Sequence, residues 1–121
     1  MILVDTSVWI DHLRSVNDRL DRALNDGEVL THPYVIGELA CGNIRNRGEI
    51  MRFLHRLPLA REATHREVVA MIEGRKLMGV GIGYADAHLL AATALTPSAS
   101  LWTHDKQLSG VARKLGLTAS S

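Results

Sequence analysis

The 121-residue sequence predicts an α/β fold in which a short parallel sheet is flanked by helices on both faces. The main observation is that short apolar stretches of strand length alternate with longer stretches whose apolar residues recur at helical spacing. A second observation is the length, which suits one domain, and no repeat or interdomain linker interrupts the chain. The hydrophobic fraction of 46% with 22% charged residues is ordinary for a soluble globular chain.

The first 27 residues predict one strand and two helices. The apolar run 1–4 has the length of a strand that is buried on both faces. Residues 8–13 then carry apolar side chains at helical spacing, and residues 16–24 do so again. Gly27 is expected to end the second helix, because glycine readily adopts the backbone conformation that follows a helix C-terminus.

The next segment predicts a strand followed by two helices. The sequence "EVLTH", residues 28–32, is the strand candidate. Pro33 suits the first turn of a helix, and an apolar stripe continues this helix to Ala40. A further stripe over residues 50–57 predicts another helix, which Pro58 stops.

The remaining sequence predicts a strand between helices. Thr64 and Glu67 have the spacing of a capping box at a helix start. An alanine- and leucine-rich helix is predicted over residues 83–95. The stretch "SLWTHD", residues 100–105, repeats the opening arrangement of a strand followed by an acid, and apolar residues at helical spacing follow over residues 108–115.

Four acidic residues fall at the junctions between predicted strands and helices: Asp5, Glu38, Asp86 and Asp105. In parallel sheets ligands bind beyond the carboxyl ends of the strands, so these acids are expected at one edge. Each also has a structural interpretation when taken alone. Asp5 and its neighbours are favoured helix N-caps, Asp86 could complement a helix dipole, and Asp105 could open a turn.

Converging carboxylates repel one another unless a cation neutralises them, and oxygen ligands favour Mg²⁺ or Mn²⁺. Such an ion supports phosphodiester hydrolysis. The hydroxyls of Thr6, Ser7 and Thr103 are expected to orient metal-bound water around the site. His32 and His104 also lie near strand ends, but a histidine at a turn is more often structural, and both are left outside the site.

Charge is distributed unevenly along the chain. Residues 1–43 carry seven acidic and three basic side chains. Residues 44–76 carry four acidic and eight basic side chains, and most of these basic side chains are arginines. A solvated helix face would explain this, but arginine also suits phosphate, so the segment gives modest support for a polyanionic ligand. We expect an unprocessed cytoplasmic protein without membrane contact. The sequence has a single cysteine, no pattern of a secretion signal and no apolar stretch of transmembrane length.

Four stretches of the sequence, in this order, resemble the PIN-domain ribonucleases, and specifically the VapC-type toxins of bacterial toxin–antitoxin pairs. The stretches are "MILVDTSVWIDHL", "GELACG", "GIGYADAHLLAA" and "LWTHDKQL". The resemblance covers nearly the whole chain. It implies one PIN-like domain, expected over residues 1–117, and residues 118–121 are expected to form a short C-terminal tail.

Matching the motifs residue by residue assigns the acidic quartet of the family to Asp5, Glu38, Asp86 and Asp105, and a family hydroxyl to Thr103. Because the quartet binds Mg²⁺ or Mn²⁺ and cleaves RNA in that family, the resemblance implies this cofactor and RNA as substrate. It also implies two protein partners, a cognate antitoxin that covers the active site and a second copy of the chain in a homodimer.

Other α/β proteins also carry acids at strand ends. A receiver-like signalling domain would need an adjacent acidic pair after its first strand, where this sequence has Asp5 followed by Thr6. A phosphatase with a nucleophilic aspartate would need a second acid at the position of Ser7. A non-catalytic nucleic-acid-binding domain, with acids that only cap helices, predicts no dependence on metal.

Overall fold

The computed structural model describes residues 1–119, which contain three strands and seven helices. In chain order they are β1 (Ile2–Val4), α1 (Thr6–Arg14), α2 (Asp18–Asn25), β2 (Val29–Leu30), α3 (Pro33–Ala40), α4 (Arg47–Arg56), α5 (His65–Gly74), α6 (Tyr84–Leu95), β3 (Ser100–Trp102) and α7 (Lys106–Lys114). The predicted alternation of strands and helices is confirmed. No helix among these residues is both long and apolar enough to cross a membrane.

The three strands form one parallel sheet in the order β2–β1–β3. The central strand β1 pairs Leu3 with Leu30 on one side and with Leu101 on the other. Leu3 and Val4 are fully buried, as expected for a strand covered on both faces. The first strand of the sequence is therefore the middle of the sheet.

Helices cover both faces of this sheet, as predicted. The connection from β1 to β2 and the connection from β2 to β3 run in opposite directions across the sheet. Because crossovers between parallel strands are right-handed, the two connections place their helices on opposite faces. Leu20, Leu54, Leu90 and Leu108 come from four different helices and are all completely buried in the resulting core.

Local sequence explains several helix ends. At α5 the predicted capping box is present: the backbone N–H of Glu67 donates to Thr64 Oγ1, and the N–H of Thr64 donates to Glu67 Oε1. Gly27 adopts a left-handed φ of 67° just after α2. By contrast, α4 begins at Arg47, three residues before its predicted apolar stripe.

The predicted strand over residues 28–32 is shorter in the structure. Regular pairing ends at Leu30, and Thr31 continues it only through an isolated parallel bridge with Leu59. His32 has already left the sheet, because its side chain caps α3. The helix start therefore limits the length of β2.

Residues at the C-terminal end pair with β3. The N–H of Leu101 donates to the carbonyl of Leu117, and the N–H of Ala119 donates to the carbonyl of Leu101. Thr118 forms a parallel bridge with Leu101. Thr118 and Ala119, which the sequence placed in the tail, thus lie against the sheet, while residues 120 and 121 of that tail lie outside the described residues.

Candidate active site

The carboxyl ends of β1 and β3 meet at one edge of the sheet, as the fold class predicted. The N–H of Asp5, the residue after β1, donates to the carbonyl of Trp102, the last residue of β3, at 2.9 Å. Thr103 and Asp105 follow directly. Residues 98 positions apart in the sequence are thereby brought into side-chain contact.

Asp5 lies at the centre of this edge and is only 5% exposed. Its Oδ2 accepts hydrogen bonds from Ser7 Oγ and from Thr103 Oγ1, both at 2.7 Å. Ser7 Oγ in turn accepts from the backbone N–H of His104 at 3.0 Å. A buried carboxylate needs such donors, and since both hydroxyls donate to Oδ2, Oδ1 is left free of these bonds.

The helix-capping interpretation of Asp5 is wrong. Asp5 occupies the N-cap position of α1, but its side chain makes no capping hydrogen bond there. The hydroxyls of Ser7 and Thr103 hold the carboxylate instead. The orientation of the Asp5 carboxylate therefore depends on the pairing of β1 with β3 as well as on α1.

Asp86 and Asp105 do bond helix starts. Asp105 Oδ1 accepts the N–H of Leu108 at 2.9 Å at the beginning of α7. Asp86 Oδ2 accepts the N–H of Gly83 at 3.1 Å just before α6. Each of these bonds engages one carboxylate oxygen, so capping does not preclude a second role for the other oxygen.

Glu38 reaches the site from α3. Its side chain is exposed, and Thr6 Oγ1 donates to its Oε1 at 2.7 Å. This bond joins the first residue of α1 to α3. The orientation of the exposed Glu38 carboxylate therefore depends on one hydroxyl, that of Thr6.

Electrostatic interaction connects all four acids, which we call the acidic cluster. The pKa of Asp86 is raised above its ordinary value, first by partial burial and then by the negative charges of Asp5, Asp105 and Glu38. Among residues 1–119, the contact between His104 and Asp11 lies beside the cluster and leaves the repulsion on Asp86 in place. A cation from solution would relieve this repulsion.

The donor set fits a hard divalent cation in its chemistry, since every candidate ligand is oxygen. Among residues 1–119, however, no group of three or more His, Cys, Asp or Glu side chains is arranged so that it could hold a metal ion. Mg²⁺ usually keeps several waters and contacts one or two carboxylates. A loosely assembled acidic cluster is therefore compatible with magnesium and unsuited to zinc.

The three hydroxyl residues act on the carboxylates directly. The sequence interpretation expected Thr6, Ser7 and Thr103 to orient metal-bound water. In the structure each donates to an acid of the cluster: Thr6 to Glu38, and Ser7 and Thr103 to Asp5. Thr103 Oγ1 also accepts the N–H of Asp105 at 3.0 Å, so it joins two acids.

The two histidines near the strand ends have structural contacts. His32 is buried, and its Nδ1 accepts the N–H of Tyr34 at 3.0 Å, while burial lowers its pKa. His104 Nδ1 lies 2.6 Å from Asp11 Oδ2. Asp11 was not among the predicted site residues, although it lies one helical turn after Ser7 and so faces the same way.

A cluster of aromatic rings around His88, which was not predicted, lies near Asp86. The imidazole of His88, two residues after Asp86, lies 4.6 Å from the ring of Tyr34 and 4.6 Å from that of Tyr84. His88 is buried, which lowers its pKa, and His65 lowers it further. Its spacing from Asp86 was visible in the sequence, but its burial against α3 was not.

Comparison with known proteins supports the family that this geometry suggests. A family model described as "PIN domain" matches residues 2–114. The chain belongs to the PIN-domain family.

Among curated proteins, the chain is similar to Ribonuclease VapC32 from two strains of Mycobacterium tuberculosis, CDC 1551 / Oshkosh and ATCC 25618 / H37Rv. In each case identity is 45% over 117 residues, which cover 97% of this chain and 94% of the relative. The resemblance to VapC-type PIN proteins stated from the sequence is confirmed.

Proposed function

We propose that this protein is a Mg²⁺- or Mn²⁺-dependent endoribonuclease that acts as the toxin of a toxin–antitoxin pair. The observation that carries the proposal is the acidic cluster, in which the negative charges of Asp5, Asp105 and Glu38 act together on the partly buried Asp86. Similarity over nearly the full length to proteins named ribonucleases supports RNA as the substrate.

The carboxylates of the cluster would bind the ion, and the neighbouring hydroxyls would keep the carboxylates in position. Asp5, Glu38, Asp86 and Asp105 would hold the ion, directly or through water. When bound, a divalent ion supplies water of lowered pKa and neutralises charge on the phosphate oxygens during in-line displacement. Ser7 and Thr103 keep Asp5 from rotating, and Thr6 holds Glu38 toward α1.

The direct test is cleavage of end-labelled total RNA by the purified protein with Mg²⁺, with Mn²⁺ and with a chelator, followed by sequencing of the new ends. Cleavage at defined sequences that requires either metal is the expected result. RNA binding without cleavage under any of these conditions would instead favour a non-catalytic nucleic-acid-binding or receiver-like domain.

A groove beside Glu38 supports the proposed antitoxin partner. It has a volume of about 770 Å³ and lies between α1, the end of α3 and the segment that leads into α4. Its apolar lining includes Ile10, Leu13, Val16 and Ile44. We call it the apolar groove. A protein segment anchored there would lie at the edge of the acidic cluster and cover it.

The remaining parts of the proposal come from the resemblance and from composition. A homodimer is expected from the VapC-type family, and the mass of the purified protein in solution tests it. A cytoplasmic location is expected from the sequence, in which Cys41 is the single cysteine and cannot form an internal disulfide.

A further inference from the structure

A groove lined by basic side chains lies between the loop after α5 and helix α7, which begins directly after Asp105. Its volume is about 430 Å³, and its lining includes Arg75, Lys76, Lys106 and Lys114 but no acidic residue. In the part of the chain that the structure describes, none of these four cations forms an ion pair. Crowded cations without counter-charges on a concave surface attract anions.

The composition of this surface, which we call the lysine groove, is unusual for this chain. The sequence contains three lysines, and all three line the groove. Elsewhere the permanently basic side chains are arginines. Lysine carries a compact charge on a flexible stem, so it binds phosphate as a point charge without the fixed geometry that an arginine fork requires.

Helix α7 contains two residues that its own stability does not explain. Lys106 is the first residue of the helix, where the helix dipole disfavours a positive charge. Gly110 lies in the interior, where glycine weakens a helix, yet a Cβ at this position would meet no atom within 4 Å. Locally unfavourable choices without a packing reason are typical of functional surfaces.

These two residues and Lys114 follow one another at intervals of four, so they lie along one face of α7. Because Gly110 has no side chain, the floor of the groove between Lys106 and Lys114 is formed by the helix backbone. On the opposite side the chain approaches α7 closely at Gly81, which follows the lining residue Val80 and has a φ of 86°: a Cβ there would lie 3.2 Å from the Gln107 side chain.

We propose that the lysine groove binds the phosphate backbone of single-stranded RNA and directs the strand to the acidic cluster. Lys106 directly follows Asp105, so a strand lying in the groove reaches the cluster at its end. The proposal rests on the proposed ribonuclease function and adds the surface that holds the substrate. Of the arginine-rich segment 44–76, Arg75 and Lys76 contribute to it.

The first test measures the affinity of the parent protein for a fluorescent single-stranded RNA in a chelator, at a series of salt concentrations. For K76Q/K114Q, loss of two phosphate contacts should reduce the slope of log affinity against log salt by about 1.4 and weaken binding on the order of tenfold at ~0.1 M salt. The matched control is R22Q/R113Q, which removes two exposed cations outside the groove, one of them adjacent to Lys114. An unchanged slope for K76Q/K114Q, or an equal change in the control, would overturn the proposal.

A second test changes shape without changing charge. Gly110→Gln should raise the melting temperature, because glutamine is the better helix former, and should weaken RNA binding, because its side chain occupies the floor. Gly110→Ala should raise the melting temperature and bind RNA nearly as well as the parent. Gly110→Gln that binds RNA as tightly as Gly110→Ala would contradict the proposed path of the strand.

A third test uses the fact that every lysine lies in the groove. RNA should protect all three lysines from an amine-acetylating reagent, with the N-terminal amine of Met1 as the internal reference. Equal acetylation with and without bound RNA would overturn the proposal.

These tests separate this proposal from the ribonuclease function, because they measure binding without metal. Salt-dependent binding in the groove combined with no metal-dependent cleavage would overturn the function alone. Cleavage that is retained while the slope for K76Q/K114Q stays unchanged would overturn the groove alone.

Discussion

The two grooves that adjoin the acidic cluster differ in the properties that decide what binds there. The apolar groove is the larger, at about 770 Å³, and its lining combines aliphatic side chains with Glu38 and the two arginines Arg14 and Arg45. The lysine groove, at about 430 Å³, carries four cations and begins beside Asp105. Apolar surface drives association with protein, whereas clustered cations dominate affinity for nucleic acid.

This difference implies that the proposed substrate, RNA, and the proposed inhibitor, an antitoxin, need not bind the same surface. On our proposal, an antitoxin is anchored on the Glu38 side and RNA on the Asp105 side, so the two compete only at the acids between the grooves. Substitutions at the centre should then affect catalysis most. Substitutions in one groove should affect one ligand.

The largest effect expected outside the acids themselves is at Thr103. Thr103→Val removes, at nearly constant shape, the donor to Asp5 Oδ2 and the acceptor of the Asp105 N–H. We expect kcat/KM for RNA in saturating Mg²⁺ to fall by about 10- to 100-fold, as for other residues that orient metal ligands. The matched variant is Thr6→Val, which frees only the exposed Glu38 and should cost less. A larger loss for Thr6→Val would reverse the proposed ranking of the two sides.

The apolar groove should respond to a change of polarity. Ile10 lines it and is 41% exposed, while Leu95 is 40% exposed and does not line it. Ile10→Gln should weaken binding of the cognate antitoxin by about tenfold, or about 1.4 kcal/mol, because an apolar anchor is lost. Titration calorimetry with Leu95→Gln as control measures this. Equal losses for the two variants would show that the antitoxin does not use the groove.

The smallest effect concerns stability at the centre. Because the folded pKa of Asp86 is raised, this carboxyl contributes stability below its ordinary pKa of 3.8, and the contribution is lost as the pH rises through the folded pKa. Asp86→Asn should therefore raise the melting temperature of the metal-free protein at pH 7 by on the order of a few °C. It should also reduce the further rise that Mg²⁺ causes by binding the folded state.

The control for that prediction is Asp26→Asn, which changes an exposed acid outside the cluster. A melting temperature of Asp86→Asn that responds to Mg²⁺ as the parent does would remove Asp86 from the proposed site.

Local sequence was sufficient for the order of strands and helices, because periodicity and caps such as Thr64 depend on near neighbours. It was not sufficient to distinguish Asp5 from Asp105. Both follow a strand and precede a helix, yet only Asp105 caps its helix. The difference is that Thr103, 98 positions away, captures the carboxylate of Asp5. A contact of that range depends on the pairing of β1 with β3.

The grooves were unpredictable for the same reason. The sequence drew attention to arginines over residues 44–76, but the basic surface that adjoins the cluster is completed by Lys106 and Lys114 from α7. Likewise, Thr118 extends the sheet beside β3 only through its parallel bridge with Leu101. In each case the decisive neighbour lies on another element, and only the folded chain brings the two together.

The most direct test of the central claim, that the acidic cluster is the catalytic centre for RNA cleavage, is the activity of Asp5→Asn. This change removes the central charge at nearly constant shape, and a cooperative melting transition would show that the fold persists. With Mg²⁺ and labelled RNA, we predict a loss of at least about 100-fold, while Asp26→Asn cleaves as the parent does. An Asp5→Asn protein that cleaves RNA as fast as the parent would contradict the claim.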